Sequence, residues 1–265
     1  MLIIENVCKD YITEKGQVIK ALDKFNLQIM KNDFVAVLGP SGCGKSTLLR
    51  IVAGLESSST GKIYYKGSIM QNNNRQNSHR EISMVFQDYS LLPWRTVLDN
   101  VTLGLEFAGI KTRKRQQKGR EFLQLVGLEQ YAHAYPYELS GGMQQRVAIV
   151  RSLATEPQLL LMDEPFGALD AHTRMVLQQE LLHIWQKTKK TVLFITHSVD
   201  EAIYLADKII VMSSSPGTIK EVINVEMPRP RNRANPKYGK LLTYLFETLG
   251  EEGNSSQIMQ IRKLS

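Results

Sequence analysis

The chain has 265 residues, 43% of them hydrophobic, which is enough to bury a full core as one large domain or two small ones. No apolar run approaches the roughly 18 residues a membrane-spanning helix needs, and the opening MLIIENVCKDY has no basic segment ahead of its apolar residues, so neither a transmembrane span nor a secretory signal is expected and the chain should stay in the cytosol. Thirty-three Lys and Arg against 26 Asp and Glu leave a formal charge of +7, which favours anionic ligands, acidic membrane or nucleic acid without choosing among them, while two cysteines, Cys8 and Cys43, give no disulfide framework.

No internal repeat is visible. The first strongly apolar run, FVAVLG (34–39), does not alternate, which predicts a strand buried on both faces. It leads into GPSGCGKST (39–47), a match to G-x-x-x-x-G-K-[ST] after a strand and before a helical pattern at 45–53, the context that gives this motif meaning. Across Gly39, Pro40, Ser41, Gly42, Cys43 and Gly44 the glycines let backbone amides curl around phosphate oxygens. The helix start adds positive potential, Lys45 neutralises the outer phosphates, Ser46 can ligate magnesium, and Thr47 closes the motif. Cys43 is the small residue the loop needs; oxidation is expected to reach it, but nothing marks it as a nucleophile.

The polar run QNNNRQNSHR (71–80) reads as an exposed loop, and ISMVFQ (82–87) as a second buried strand ending in Gln87. Helical patterns fill 89–156 without a convincing strand, which predicts a helical subdomain inserted into an α/β core. Within it Leu91, Leu92, Pro93 and Trp94 form an apolar patch, either a docking surface or local packing. The basic run KTRKRQQKGR (111–120) and a second one, PRPRNR (228–233), read first as a solvated helix face and a solvated linker.

YELSGGMQQR (137–146) starts a helix through two adjacent glycines, each costing about 1 kcal/mol relative to alanine. Ser140 can cap it, but Met143 cannot complete a reciprocal capping box, so some first-turn amides are left for another partner. LLLMDEP (159–165) brings Asp163 and Glu164 to the end of a buried strand, where Asp163 suits magnesium and Glu164 can poise a water for attack on the outermost phosphorus. Helical patterns at 174–189 and 198–206 flank VLFITH (192–197), which ends in His197. Gly39, Gln87, Asp163, Glu164 and His197 thus all follow apolar runs, at the strand ends where open α/β sheets bind ligands. KEVINVEM (220–227) is a short strand pattern, followed by the Pro and Arg linker, a helix near 239–249 and a polar tail.

With these pieces in order, the chain resembles the ATPase subunits of ABC transporters over nearly its whole length. LSGGMQQR is similar to that family's signature motif, flanked as in the family by the phosphate loop, Gln87, LLLMDEP, GALD (167–170) and His197. The resemblance implies a P-loop NTPase (RecA-like) α/β core with a largely parallel sheet, an N-terminal antiparallel β part, and residues 1–230 as the nucleotide-binding domain with its helical insertion at about 89–156. Residues 231–265 would form a linker, helix and tail. It further implies ATP and Mg2+ as ligands, Tyr11 stacked on adenine, and Gln87 linking magnesium to a membrane partner. Glu164 is then the base, and His197 holds the γ-phosphate; the lesser alternative for Tyr11 is a core aromatic near a first strand.

In that family two ATPase subunits pair head to tail, so Ser140, Gly141 and Gly142 would contact the γ-phosphate of the partner's nucleotide. Partners implied are a second ATPase subunit, transmembrane permease subunits and an extracytoplasmic solute-binding protein, with no nucleic acid, at the cytoplasmic membrane face. MVFQDYSLLPWRTVLDNV, DEPFGALDAHTR, SSSPGTI and MPRPR together resemble the bacterial nitrate, sulfonate and taurine importer group, from which the Asn-rich 71–80 run departs. A soluble ABC ATPase acting on nucleic acid or ribosomes is the alternative, although the chain has neither two cassettes nor a long coiled-coil insertion. A small-molecule P-loop kinase would leave the signature and His197 unexplained.

Overall fold

A computed structural model describes residues 1–70 and 81–250, so the readings of 71–80 as an exposed loop and of the polar tail from 251 lie outside the described residues. In chain order the elements are β1 (Leu2–Ile12), β2 (Val18–Ile29), β3 (Phe34–Leu38), α1 (Lys45–Val52), β4 (Thr60–Tyr65), β5 (Ser68–Ile69), β6 (Ile82–Val85), α2 (Val97–Phe107), α3 (Thr112–Leu125), α4 (Gly141–Ala154), β7 (Leu159–Asp163), α5 (Ala171–Thr188), β8 (Thr191–Thr196), α6 (Val199–Leu205), β9 (Lys208–Met212), β10 (Ile219–Asn224) and α7 (Pro236–Gly250). The chain divides into two compact units, Met1–Asn72 with Leu193–Ser265, and Asn73–Val192.

The first unit carries the expected antiparallel part, a sheet in the order β2-β1-β4-β5. β1 pairs with β2 from Leu2↔Ile29 to Ile12↔Val18, and with β4 through Leu2↔Tyr65. The end of β2 alternates, burying Phe25, Leu27 and Ile29, as a sheet with one covered face requires. β3 and β9 instead are parallel neighbours with hardly any exposed residue, and β10 closes the β9 edge antiparallel. Their unalternating Val, Ile and Leu runs are the sequence form of strands covered on both faces. The Phe34 and Phe194 rings, 5.8 Å apart, bring the start of β3 against β8.

The arginine run after β10 corrects the solvated-linker reading. Arg231 is only 5% exposed, and its guanidinium donates to the carbonyls of Ile203 and Ala206, both at 2.6 Å, and to those of Val225 and Met227, both at 3.2 Å. Two of those acceptors are carbonyls at the C-terminal end of α6, the negative end of the helix dipole. Arg229 pairs with Asp207, and Arg233 grips Asp200 through two bonds of 2.8 and 2.7 Å while lying 4.1 Å from the Tyr204 ring centroid. Tyr238 at the start of α7 donates to the same Asp200 carboxylate at 2.6 Å. The run is a clamp that fastens α7 to α6. Burial, reinforced by the nearby Arg229 charge, pushes the Arg231 pKa down to about 10, so it stays cationic at neutral pH.

In the second unit β6 and β7 are parallel, from Ile82↔Leu159 to Val85↔Met162. Thr96 caps α2 by accepting from the Asp99 amide at 3.2 Å. Gly119 of α3 packs so closely on α2 that a Cβ there would come within 2.5 Å of Thr102 and 2.7 Å of Leu98. No strand occurs between residues 89 and 156, in line with the sequence pattern. α5 starts three residues earlier than its apolar pattern suggests, because Asp170 accepts from the Thr173 amide at 3.0 Å and so sets the first turn.

Replacing Arg231 by Met keeps an apolar stem but strands the carbonyls it serves, most of them buried. We expect Arg231→Met to lower the unfolding free energy by about 2–4 kcal/mol in urea denaturation; a loss below about 0.5 kcal/mol, the level of an ordinary surface change, would contradict the clamp.

Candidate functional site

In the first unit the phosphate loop is shaped by close approaches that exclude side chains. Gly44 has φ +93°, and a Cβ there would lie 2.6 Å from the Ala21 carbonyl; one on Gly39 would lie 2.9 Å from the Cys43 sulfur. Lys45, only 5% exposed, turns back into the loop and donates to the carbonyls of Gly39 at 2.9 Å and Pro40 at 2.8 Å. Helix α1 starts at Gly44 with no side-chain cap and no acid in its first turn. Its dipole and the Lys45 ammonium therefore add to a positive, amide-rich concavity of the kind that binds phosphate. The Cys43 thiol is buried, and burial raises its pKa despite nearby Lys45. That corrects the expectation of an oxidation-prone cysteine, since reactivity follows thiolate character and access.

The loop has a backing that sequence reasoning did not find. Gly217, from the SSSPGTI turn, donates its amide to the Ala21 carbonyl at 3.0 Å and accepts from the Asp23 amide at 3.1 Å. A Cβ on Gly217 would sit 2.1 Å from the Cys43 carbonyl. Only the turn's Pro-Gly pair hinted at this, and it gave no partner.

Tyr11 lies near the end of β1 and is 37% exposed, which removes the core-aromatic reading. Its hydroxyl is 3.4 Å from Thr47 Oγ1 on the phosphate-loop helix. His197 follows β8 on an exposed turn whose flanks are pinned: Thr196 Oγ1 donates to Glu201 at 2.6 Å and accepts from the Ser198 amide at 2.9 Å.

In the second unit Asp163 is the buried last residue of β7, and Glu164 directly after it has φ +41°. A non-glycine residue in the left-handed region costs of order 1–3 kcal/mol and is held there by its surroundings, a pattern that clusters at functional sites. Gln87 and Glu164 converge over Gly167, where a Cβ would lie 3.9 Å from Gln87 Nε2 and 4.0 Å from Glu164 Oε2. The Asp163 carboxylate and the Gln87 side-chain carbonyl here, and separately the Ser46 hydroxyl in the first unit, are each hard oxygen donors of the type magnesium takes.

The signature segment begins α4. Ser140 caps it, accepting from the Met143 amide at 3.4 Å, and the Gln144 amide reaches the Ser140 carbonyl at 2.9 Å. Gln144 Nε2 also ties down the preceding turn through the Pro136 and Leu139 carbonyls. The Gly141 and Gly142 amides have no acceptor among the described residues. Gly142 is also needed sterically, because a Cβ there would come within 2.8 Å of Thr173 on α5.

Asn100, fully buried, rigidifies the turn before α2. It accepts from the Leu92 amide at 2.8 Å and donates to the carbonyls of Leu92, Arg95 and Thr96, leaving Trp94 72% exposed. Of the 111–120 run, Arg115 pairs with Glu106 and Lys118 with Glu156, while Lys111, Arg113 and Lys114 lie on the exposed side of α3 and its entry.

Comparison with known proteins matches residues 22–167 to the ABC transporter family. The chain is 49% identical over 95% of its length to an uncharacterized ABC transporter ATP-binding protein of Methanocaldococcus jannaschii, covering 92% of that protein. It is 47% identical to the taurine import ATP-binding protein TauB of Rhizobium johnstonii, over 86% of each chain, and 41% identical to the aliphatic sulfonates import ATP-binding protein SsuB of Bacillus anthracis, over 96% of this chain and 98% of that one. A solved dimeric ATP-binding cassette, MJ0796 in a post-hydrolysis state with ADP and Pi, superposes with a TM-score of 0.76 at 33% identity, covering 86% of this chain and all of that one. The chain belongs to the ABC transporter family and is an ATP-binding, ATP-hydrolysing cassette. Among the described residues no helix is long and apolar enough to cross a membrane.

Because Gly217 touches the phosphate loop only through backbone, Gly217→Ala should displace the Cys43 carbonyl. The expected outcome is ATP affinity down about tenfold or more, with the fold retained in circular dichroism. Wild-type affinity would show that the turn does not support the loop.

Proposed function

We propose that this chain powers import of a small sulfonate-like anion through a separate permease, at the cytoplasmic membrane face, as one of a pair of ATPase subunits fed by an extracytoplasmic solute-binding protein. The observation that carries the reading is the presence of two anion-seeking helix starts. One, at Gly44–Lys45, is complete with its lysine. The other, at Ser140–Gly142, offers two amides and no lysine. A single ATP held between the loop of one subunit and the signature of another gives both a ligand. The importer subgroup is supported by the likeness to TauB and SsuB, and the exposed Trp94 on its Asn100-braced turn is a suitable seat for a membrane subunit.

In this reading Tyr11 stacks on adenine, the amides of 39–47 and Lys45 hold the phosphates, and Ser46, Gln87 and Asp163 hold the magnesium ion. Magnesium held there would supply positive charge to offset that of the outer phosphates. Glu164 accepts the proton of the attacking water, and the Glu164 backbone strain fixes its carboxylate toward Gln87 above Gly167. His197 contacts the γ-phosphate from its pinned turn. Once that phosphate leaves, the contact shared with Ser140, Gly141 and Gly142 of the partner is lost, and the pair opens. The nucleic-acid reading loses one of its two basic runs, because Arg229, Arg231 and Arg233 are spent inside the α6–α7 clamp.

Glu164→Gln is expected to bind ATP normally, to hydrolyse it about 10²–10⁴ times more slowly, and to elute as a persistent ATP-bound dimer in size-exclusion chromatography. Wild-type turnover by this variant would remove Glu164 from the base role.

A further inference from the structure

We propose that Lys9 and Glu56 are positioning residues that select which face of Tyr11 receives the nucleotide base; this rests on the adenine-stacking reading of Tyr11 above. Residues 9 and 11 are two apart on β1 and so share a face of the sheet. The Lys9 ammonium lies 4.9 Å from the centroid of the Tyr11 ring. It is locked there by Glu56 Oε1 at 3.0 Å and by the Ser57 carbonyl at 2.9 Å. The Lys9 and Glu56 side chains are just 14% and 20% exposed, so the pair is sheltered, whereas Tyr11 itself stays open. Between them, the Asp10 amide donates to Ser59 Oγ at 2.9 Å and holds the strand against the same loop.

The ring is thereby held by Thr47 and Glu56 at its hydroxyl and by Lys9 at one face. Its hydroxyl edge faces Thr47 at 3.4 Å, and one of its two faces carries the ammonium. A flat base can stack only on the opposite face. A cation on one side also draws π density toward itself, which makes the far face a better partner for an electron-rich purine. Glu56 acts both through Lys9 and through its own hydrogen bond with the Tyr11 side chain: without its carboxylate the ammonium is free to swing toward solvent, and the ring loses its backing and one of its hydroxyl partners. The contact with Thr47 links this platform directly to the helix that carries the phosphate loop, so base and phosphates are held in one register.

The test uses the full chain, with ATP kinetics alongside binding of inorganic tripolyphosphate, which has no base. Lys9→Met is expected to raise KM for ATP about two- to fivefold, leave kcat little changed, and leave tripolyphosphate affinity unchanged. Lys9→Arg should restore the wild-type KM, Glu56→Gln should raise it in the same direction, and Lys9→Met should add nothing in a Tyr11→Ala background. The proposal is overturned if Lys9→Met leaves KM unchanged while Tyr11→Ala raises it, or if Lys9→Met weakens tripolyphosphate as much as ATP. If Tyr11→Ala itself leaves KM unchanged, the stacking reading is what fails.

Discussion

The Lys45 ammonium, drawn back onto the carbonyls of Gly39 and Pro40, is the contact on which the nucleotide end of this molecule depends. A buried cation is tolerated only with such partners, and these carbonyls can reach it only if the chain turns tightly before α1. That turn requires Gly44 at φ +93° against the Ala21 carbonyl. It also requires Gly217 behind Cys43, where any side chain would collide. β2, β3 and the turn before β10 thus contribute to one loop geometry, although only β3 adjoins it in sequence.

The parts of the fold that were legible in the sequence are those in which local pattern and burial agree. The runs at 34–38, 159–163 and 191–196 are buried along almost their whole length, and a strand without alternation is what such burial produces. The phosphate loop was legible because glycine spacing, lysine and the following helix are all local. Ser140 was readable as a cap for the same reason.

Features that depend on distant partners were not readable. PRPRNR has the composition of a solvated linker, and nothing near it in sequence shows that Arg231 ends among the carbonyls of α6 or that Arg233 meets Asp200, 33 residues back. Lys9 and Glu56 are ordinary surface charges until β1 and the loop before β4 come together. The backbone strain at Glu164 is likewise invisible in its side chain, yet it is the feature that most sets that residue apart from other acids at strand ends. Sequence supplied the chemistry of the site, and tertiary contacts supplied its rigidity.

The two helix starts remain the centre of the functional account. α1 offers an uncapped dipole and a lysine, while α4 offers two glycine amides beside a serine cap. Neither is a complete enclosure for a triphosphate, and the proposed pairing completes each with the other subunit's half. Complementation tests this most directly: Lys45→Ala damages only the loop half and Ser140→Arg only the signature half, so each variant alone should be inactive. Mixed, they can form one intact composite site, and the account predicts that ATP hydrolysis returns in the mixture. A Ser140→Arg variant active alone, or a mixture as silent as its components, would contradict the shared site.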